Sequence, residues 1–335
     1  MIEMLCNTLG IEKPFLSAPL GGAAGPELVA AVSNAGGFGV IPLWGDPSEE
    51  VREGIRLTRA MTDNHFAVNL NVSVDYRDAL QVCIDEGVHA VSLFWGHDPY
   101  AIEMAKAGGL VVMTNVGSAQ EAKIAQEAGA DIIIAQGWEA GGHVWGKVAT
   151  MALVPAVVDA VKVPVVAAGG ISDGRGMAAA LMLGAAGVWV GTRFLASPEA
   201  KIHATYRDAI LNATEEQAEW YANLYDGHWR DAPHRALRNA TSETWLRAGC
   251  PPSGSRPNEK EVIGTRPDGG AVARYESYTP GPNTTGDVAA MSLWSGQCAG
   301  NVHAVKPAAD IVDEICRDAK RIISAVQVSA RVFPD

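Results

Sequence analysis

Three glycines in the first half of the chain, Gly87, Gly108 and Gly129, fall 21 residues apart, each just before a run of apolar residues. The same small-residue turn recurs in NAGGFGV, DEGVHAV, KAGGLVV, EAGADII and LGAAGVW. A glycine at this place ends a helix in a left-handed turn that other residues enter only with a Cβ clash. The repeat is therefore one strand plus one helix, used again and again. Eight apolar runs keep the rhythm: PFLSAPL from Pro14, FGVIPLW from Phe38, FAVNLNV from Phe66, AVSLFW from Ala90, LVVMT from Leu110, DIIIAQG from Asp131, PVVAAGG from Pro164 and GVWVGT from Gly187. Near-continuous apolar character means strands covered on both faces, which parallel crossover units produce. Eight such units predict an α/β fold of the closed (β/α)8 TIM-barrel type.

The rhythm stops after Ser197. Residues 203–247 read as helical, in ATEEQAEWYANLYDG and HRALRNATSETWLRAG, until CPPSGSRPNEK breaks the pattern. The polar, Gly- and Pro-rich stretch TRPDGGAVARYESYTPGPNTTGD reads as loop. A last helix is expected from about Pro307 to Gln327, with apolar residues at helical spacing that would pack on the barrel. The division this suggests is a barrel domain of residues 1–200 and 300–335, with residues 201–299 as a mostly helical C-terminal insertion that caps one end.

Charge and cysteine usage narrow the function. A formal net charge of −12 with no Lys or Arg run would repel a phosphate backbone, so nucleic acid is not an expected partner. Cys6, Cys83, Cys250, Cys298 and Cys316 show no CxxC or framework spacing, which argues against disulfides and a zinc site. The opening MIEMLCNTLGIEKP lacks the basic and apolar regions of a signal peptide, and no apolar stretch reaches membrane-spanning length. The expectation is a cytoplasmic enzyme with a small-molecule substrate, no membrane partner, and room for a homodimer.

In a barrel of this type, phosphate is commonly held by the loops after strands seven and eight. Gly169 and Gly170 end the seventh run, and Gly191 and Thr192 follow the eighth at the start of a helix. Each glycine alone makes a tight turn; two pairs in the expected place predict a phosphate cradle. The second signal is AQGWEAGGHVWG, residues 135–146, at the end of strand six. Its glycines permit a turn that aims His143 inward, where an imidazole can take a proton or stabilise an anion. A lone histidine more often bonds its own loop, but the end of a barrel strand is where catalytic groups gather. Glu139 reads as a loop-organising carboxylate. His65, His89, His97, His203, His228, His234 and His303 are dispersed, so no metal site is expected. Trp95, Trp138, Trp145 and Trp189 lie near strand ends and are candidate walls of the site.

The motifs SAPLGGAAGPELVAAVSNAGGFG, FAVNL, QGWEAGGH, AAGGISDGRG, VGTRF and WSGQCAG resemble those of the nitronate monooxygenase family, formerly called 2-nitropropane dioxygenases, and of the related flavin-dependent enoyl-acyl-carrier-protein reductases. The resemblance implies an FMN cofactor contacted by Asn69, Gln136, Gly141, Gly170, Trp189, Val190, Gly191 and Thr192, and a catalytic role for His143. It implies a monooxygenase that turns an alkyl nitronate and dioxygen into a carbonyl compound and nitrite. The alternative is an NAD(P)H-dependent flavin reductase of enoyl thioesters or quinones. Glutamine at position 136 matches the monooxygenases, whereas the reductases usually carry glutamate there. Leu20 departs from the methionine that many members have after the AP dipeptide.

Overall fold

Eight parallel strands make the central sheet: β1 (Phe15–Ser17), β2 (Gly39–Pro42), β3 (Phe66–Asn71), β4 (Ala90–Phe94), β5 (Val111–Val116), β6 (Ile132–Gln136), β7 (Val165–Ala168) and β8 (Gly187–Val190). They come from a computed structural model that describes residues 1–227 and 229–329. Seven of the strands fall within the corresponding apolar run of the sequence, and β5 runs two residues past LVVMT, through Asn115 and Val116. Neighbours pair in chain order from β2 to β8, and β8 pairs with β1. The circle is closed by a Leu16–Phe38 bridge, in which Phe38 N–H donates to Phe15 O at 2.9 Å and Ser17 N–H donates to Phe38 O at 3.0 Å. No sheet edge is left open in the barrel, which removes the hazard of unpaired strand edges.

Strand alternation sorts the side chains into an inner and an outer core. Leu16, Val40, Met113, Ile134, Val166 and Trp189 face inward and fill the barrel. The helix Ile2–Leu9 plugs its N-terminal end with Leu5 and Leu9, both fully buried. Val188 and Val190 face outward instead, toward the helices. Burial of each such side chain contributes about 1.5–3 kcal/mol. The C-terminal helix Ala308–Ser329 packs on this outer layer through Ala308, Ile311, Val312, Ile315 and Ala319, where the sequence pattern places it. No helix among the described residues is long and apolar enough to cross a membrane.

Residues 201–299 differ in detail from the helix-then-loop expectation. They hold the helices Ala204–Leu211 and Ala240–Arg247, but Glu215–Gln217 makes only a 3-10 turn. Ala218–Tyr221 and His234–Leu237 are antiparallel strands, and the second of them also pairs with Gly142–His143 of the barrel. The stretch expected to be loop contains a small sheet of Val262–Thr265, Ala271–Ala273 and Thr285–Gly286, under which Ile263 and Val272 bury against Val288 and Met291. Helix propensity in AEWYANLYDG is weak, and strand partners distant in sequence override it. Runs as short as VIGT and AVA carry too few residues for a period of two to register.

Candidate active site

The C-terminal end of the barrel opens into a cavity of about 390 Å³. Asn69, at the end of β3, is 1% exposed; its Nδ2 donates to Ser92 O at 3.1 Å and Ser92 Oγ at 3.2 Å. Among the described residues its Oδ1 is buried without a partner, and so is Oδ1 of Asn115 on β5. Both residues line the cavity. A stranded buried acceptor costs about 1–3 kcal/mol, so two in one cavity, on strands β3 and β5, mark where a ligand donor belongs. Asn115 carries no motif and was not singled out in the sequence.

Beyond β6 the chain folds into the turn that carries His143. Gln136 braces it: Nε2 donates to His143 O at 3.2 Å, and Oε1 accepts from Trp145 N–H at 3.0 Å. Gly142 has φ +66°, and a Cβ on Gly141 would lie 2.3 Å from Gly296 N. Glycine is therefore required where this loop meets the WSGQCAG segment. There Gln297 N–H donates to Glu139 O at 3.0 Å, while Gly296 N–H donates to Thr192 Oγ1 at 2.9 Å. The Glu139 carboxylate accepts from Thr150 N–H at 2.8 Å and Thr150 Oγ1 at 2.9 Å, which anchors the loop to the following helix.

Arg235 holds the loop from the other side. It is 2% exposed and donates to three main-chain carbonyls: Ala140 at 3.2 Å, Trp138 at 2.8 Å and Ala218 at 2.8 Å. Desolvation lowers its pKa, with Glu139 and Tyr221 opposing. The residue lies in a segment expected to be helical, and only the strand pairing Arg235–Gly142 brings it here.

Around the His143 ring, centroids lie at 4.1 Å for Trp229, 5.4 Å for Trp294, 5.6 Å for Trp95 and 5.9 Å for His234. Burial first, then the neighbouring His234, pushes the His143 pKa well below its ordinary value. That shift favours the uncharged imidazole. Its Nε2 is buried and has no hydrogen-bond partner among the described residues. Trp95 reaches this cage from a left-handed backbone, φ +67°, which costs a non-glycine residue about 1–3 kcal/mol. Trp145, Trp189 and Trp138 take separate places: Trp145 Nε1 donates to Glu121 Oε2 at 2.9 Å, Trp189 lines the cavity floor, and Trp138 stacks under the Arg235 guanidinium. His97 lies 3.5 Å from Glu121, beside Trp145.

The loops after β7 and β8 meet at the opposite wall. Gly169 and Gly170 have φ of +97° and +73°. Among the described residues, no protein acceptor takes the N–H of Gly170, Gly191 or Thr192. A Cβ on Gly191 would come within 3.3 Å of Ala18 Cβ, so the wall stays open because no side chain is there. Of the predicted residues, Asn69, Gln136, Gly141, His143, Gly170, Trp189, Gly191 and Thr192 all line this one cavity. The Val190 side chain points into the outer core, because strand alternation reverses it relative to Trp189. Among the described residues, no Lys or Arg lines the cavity, and no His, Cys, Asp and Glu group is placed to hold a metal. His228 lies outside the described residues.

A family model described as nitronate monooxygenase matches residues 3–78 and 68–318. A (3aS,4S,5R,7aS)-5-hydroxy-7a-methyl-1-oxo-octahydro-1H-indene-4-carboxyl-CoA dehydrogenase of Rhodococcus jostii is 33% identical, covering 96% of this chain and 97% of that protein. A nitronate monooxygenase of Pseudomonas aeruginosa is 32% identical, over 75% of this chain and 84% of that one. The solved structure of FabK from Thermotoga maritima superposes with a TM-score of 0.79 at 31% identity, covering 97% and 98% of the two chains.

Proposed function

The chain belongs to the nitronate monooxygenase family, and from that premise we propose an FMN-dependent oxidoreductase that acts on an alkyl nitronate with dioxygen, giving a carbonyl compound and nitrite. The observation that carries this reading is the placement of His143, whose Nε2 has no partner among the described residues, inside a cage of Trp229, Trp294 and Trp95. A nitronate arrives deprotonated, its charge spread over carbon and two oxygens. It needs a hydrogen bond and a dry pocket, both of which this ring and its cage supply. A neutral nitroalkane would need a base, and burial that lowers the His143 pKa makes the imidazole a weaker one.

The residues fit FMN. Backbone N–H groups of Gly170, Gly191 and Thr192 stand free to take a phosphate, and Asn69 and Asn115 offer unpaired acceptors to the remainder of the cofactor. Gln136, Gly141 and Trp189 complete the wall, while Val190 would reach the cofactor through its main chain alone. Bound FMN supplies the redox chemistry, accepting electrons from the substrate and passing them to oxygen. The protein's part is to hold the substrate at His143, shape the pocket and exclude water. In this reading residues 1–200 and 300–335 form the barrel domain and residues 201–299 the cap that closes over it.

A second reading, a flavin enzyme acting on an acyl thioester with a nicotinamide cofactor, is favoured by the near end-to-end match to the Rhodococcus protein, whose name specifies a carboxyl-CoA substrate. Heat-released cofactor should run as FMN. Nitrite released from a preformed propyl nitronate in air, with no anaerobic bleaching by NADH or NADPH, supports the first reading. Bleaching by either nucleotide and turnover of an enoyl- or hydroxyacyl-CoA, without nitrite, overturns it for the second.

A further inference from the structure

Among the described residues, one acidic side chain lines the cavity, with no cation paired to it. Asp46 follows β2 in the sequence PLWGDP and is half-buried at the cavity wall. Among the described residues it makes no hydrogen bond and no ion pair. Burial, with Glu50 adding repulsion, pushes its carboxyl pKa up, as befits a carboxylate without a cation. Trp44, two residues earlier, also lines the cavity, and its ring lies 5.5 Å from that of Trp229, which in turn lies 4.1 Å from His143. Ring contacts thus run from His143 through Trp229 to Trp44, two residues before Asp46. Ser277, Tyr278 and Thr279 of the cap line the same cavity and bring no positive charge.

We propose that Asp46 is a specificity-determining residue: beside Trp44, the cavity takes the uncharged or cationic end of an aromatic or alicyclic substrate and turns away substrates that end in a carboxylate. The inference rests on the reading that this cavity is the substrate site of the oxidoreductase. Two like charges a few ångströms apart in a half-buried site repel appreciably even at an effective dielectric constant of about 20. An amide or amidinium at the same place would donate a hydrogen bond to the free carboxylate, and Trp44 would stack on the attached ring. The delocalised nitronate end of such a molecule would lie at His143, where no second carboxylate lines the wall.

The test compares three isosteric probes, benzamidinium, benzamide and benzoate, by isothermal titration of the purified flavin-loaded protein and of Asp46→Asn. The wild type should bind benzamide and benzamidinium at least about tenfold more tightly than benzoate. Asp46→Asn should bring benzoate within about twofold of benzamide and remove the preference for benzamidinium over benzamide. Equal binding of benzoate and benzamide by the wild type overturns the proposal. So does a ratio unchanged in Asp46→Asn, or failure of benzamide to bind at all. Circular dichroism and flavin content of the variant, expected to match the wild type, separate a charge effect from a folding defect. These are binding measurements, so a nitrite assay that fails sinks the nitronate reading and leaves the probe ratios standing.

Discussion

Gln136 and His143 are tied through the main chain: the Gln136 amide donates to the His143 carbonyl at 3.2 Å while its oxygen accepts from Trp145 N–H at 3.0 Å. A glutamine has both a donor and an acceptor, so it spans the turn as a brace. In Gln136→Glu the acceptor survives, but a carboxylate oxygen faces the His143 carbonyl. We expect a loss of about 1–3 kcal/mol in stability from the stranded and repelled acceptor. A fall in kcat should accompany it, because the turn that carries His143 loosens. Denaturant unfolding and steady-state kinetics check this; unchanged values in both would mean that the turn is held by its glycines alone.

Arg235 reaches Trp138, Ala140 and Ala218 with one fork of donors. A lysine in its place has a single ammonium at the end of a flexible stem and cannot serve all three. Arg235→Lys should therefore lower Tm by roughly 5 °C or more, since each stranded buried carbonyl costs about 1–3 kcal/mol. Activity at a temperature well below unfolding should also fall. A variant as stable and as active as the wild type would show that the loop keeps its shape without the guanidinium.

For His143 the depressed pKa sets the expectation. The ring stays uncharged across the neutral range, so kcat/KM on a preformed nitronate should show no inflection near pH 6.5 that His143→Ala removes. His143→Ala should slow nitronate oxidation by about 10²-fold, the scale of a lost positioned hydrogen-bonding group in a dry site. Losses on the neutral nitroalkane should be no larger. A loss confined to the neutral nitroalkane would instead establish a general base.

Stability should fall on mild acidification, and His234 is a principal cause. It is fully buried, with Nδ1 on Ala232 O at 2.9 Å and Nε2 accepting from Tyr225 N–H at 3.1 Å. Desolvation carries its pKa down to about 4 against an ordinary value of 6.5, with Ala232 opposing and Arg256 assisting. The folded value lies below the unfolded one, so this stability is complete above about pH 6.5 and is lost as the pH falls toward 4. At 1.36 kcal/mol per unit, the drop is worth about 3 kcal/mol. Denaturant unfolding between pH 7.5 and 4.5 should show that slope in the wild type and a shallower one in His234→Gln. Identical slopes would place the acid sensitivity elsewhere.

The glycine rhythm and apolar runs of the sequence were enough to define the barrel, since each strand and its helix are specified by neighbours along the chain. The same local logic placed Gln136, His143, Gly170 and Gly191 at one end of the barrel, because parallel strands all finish on the same side, while Asn69 was marked only by the FAVNL resemblance. What the sequence by itself could not determine is what surrounds them. Trp229, Trp294 and Arg235 lie 86, 151 and 92 residues beyond His143, the first and last of them in a stretch that reads as helix, and pairing of His234–Leu237 with Gly142–His143 delivers Arg235 together with His234. That pairing depends on hydrogen bonds between distant backbones and leaves almost no mark on composition. The charge state of His143 was equally a matter for the tertiary structure: an imidazole has the same chemistry in any sequence, and only the water-excluding rings packed around it lower its pKa.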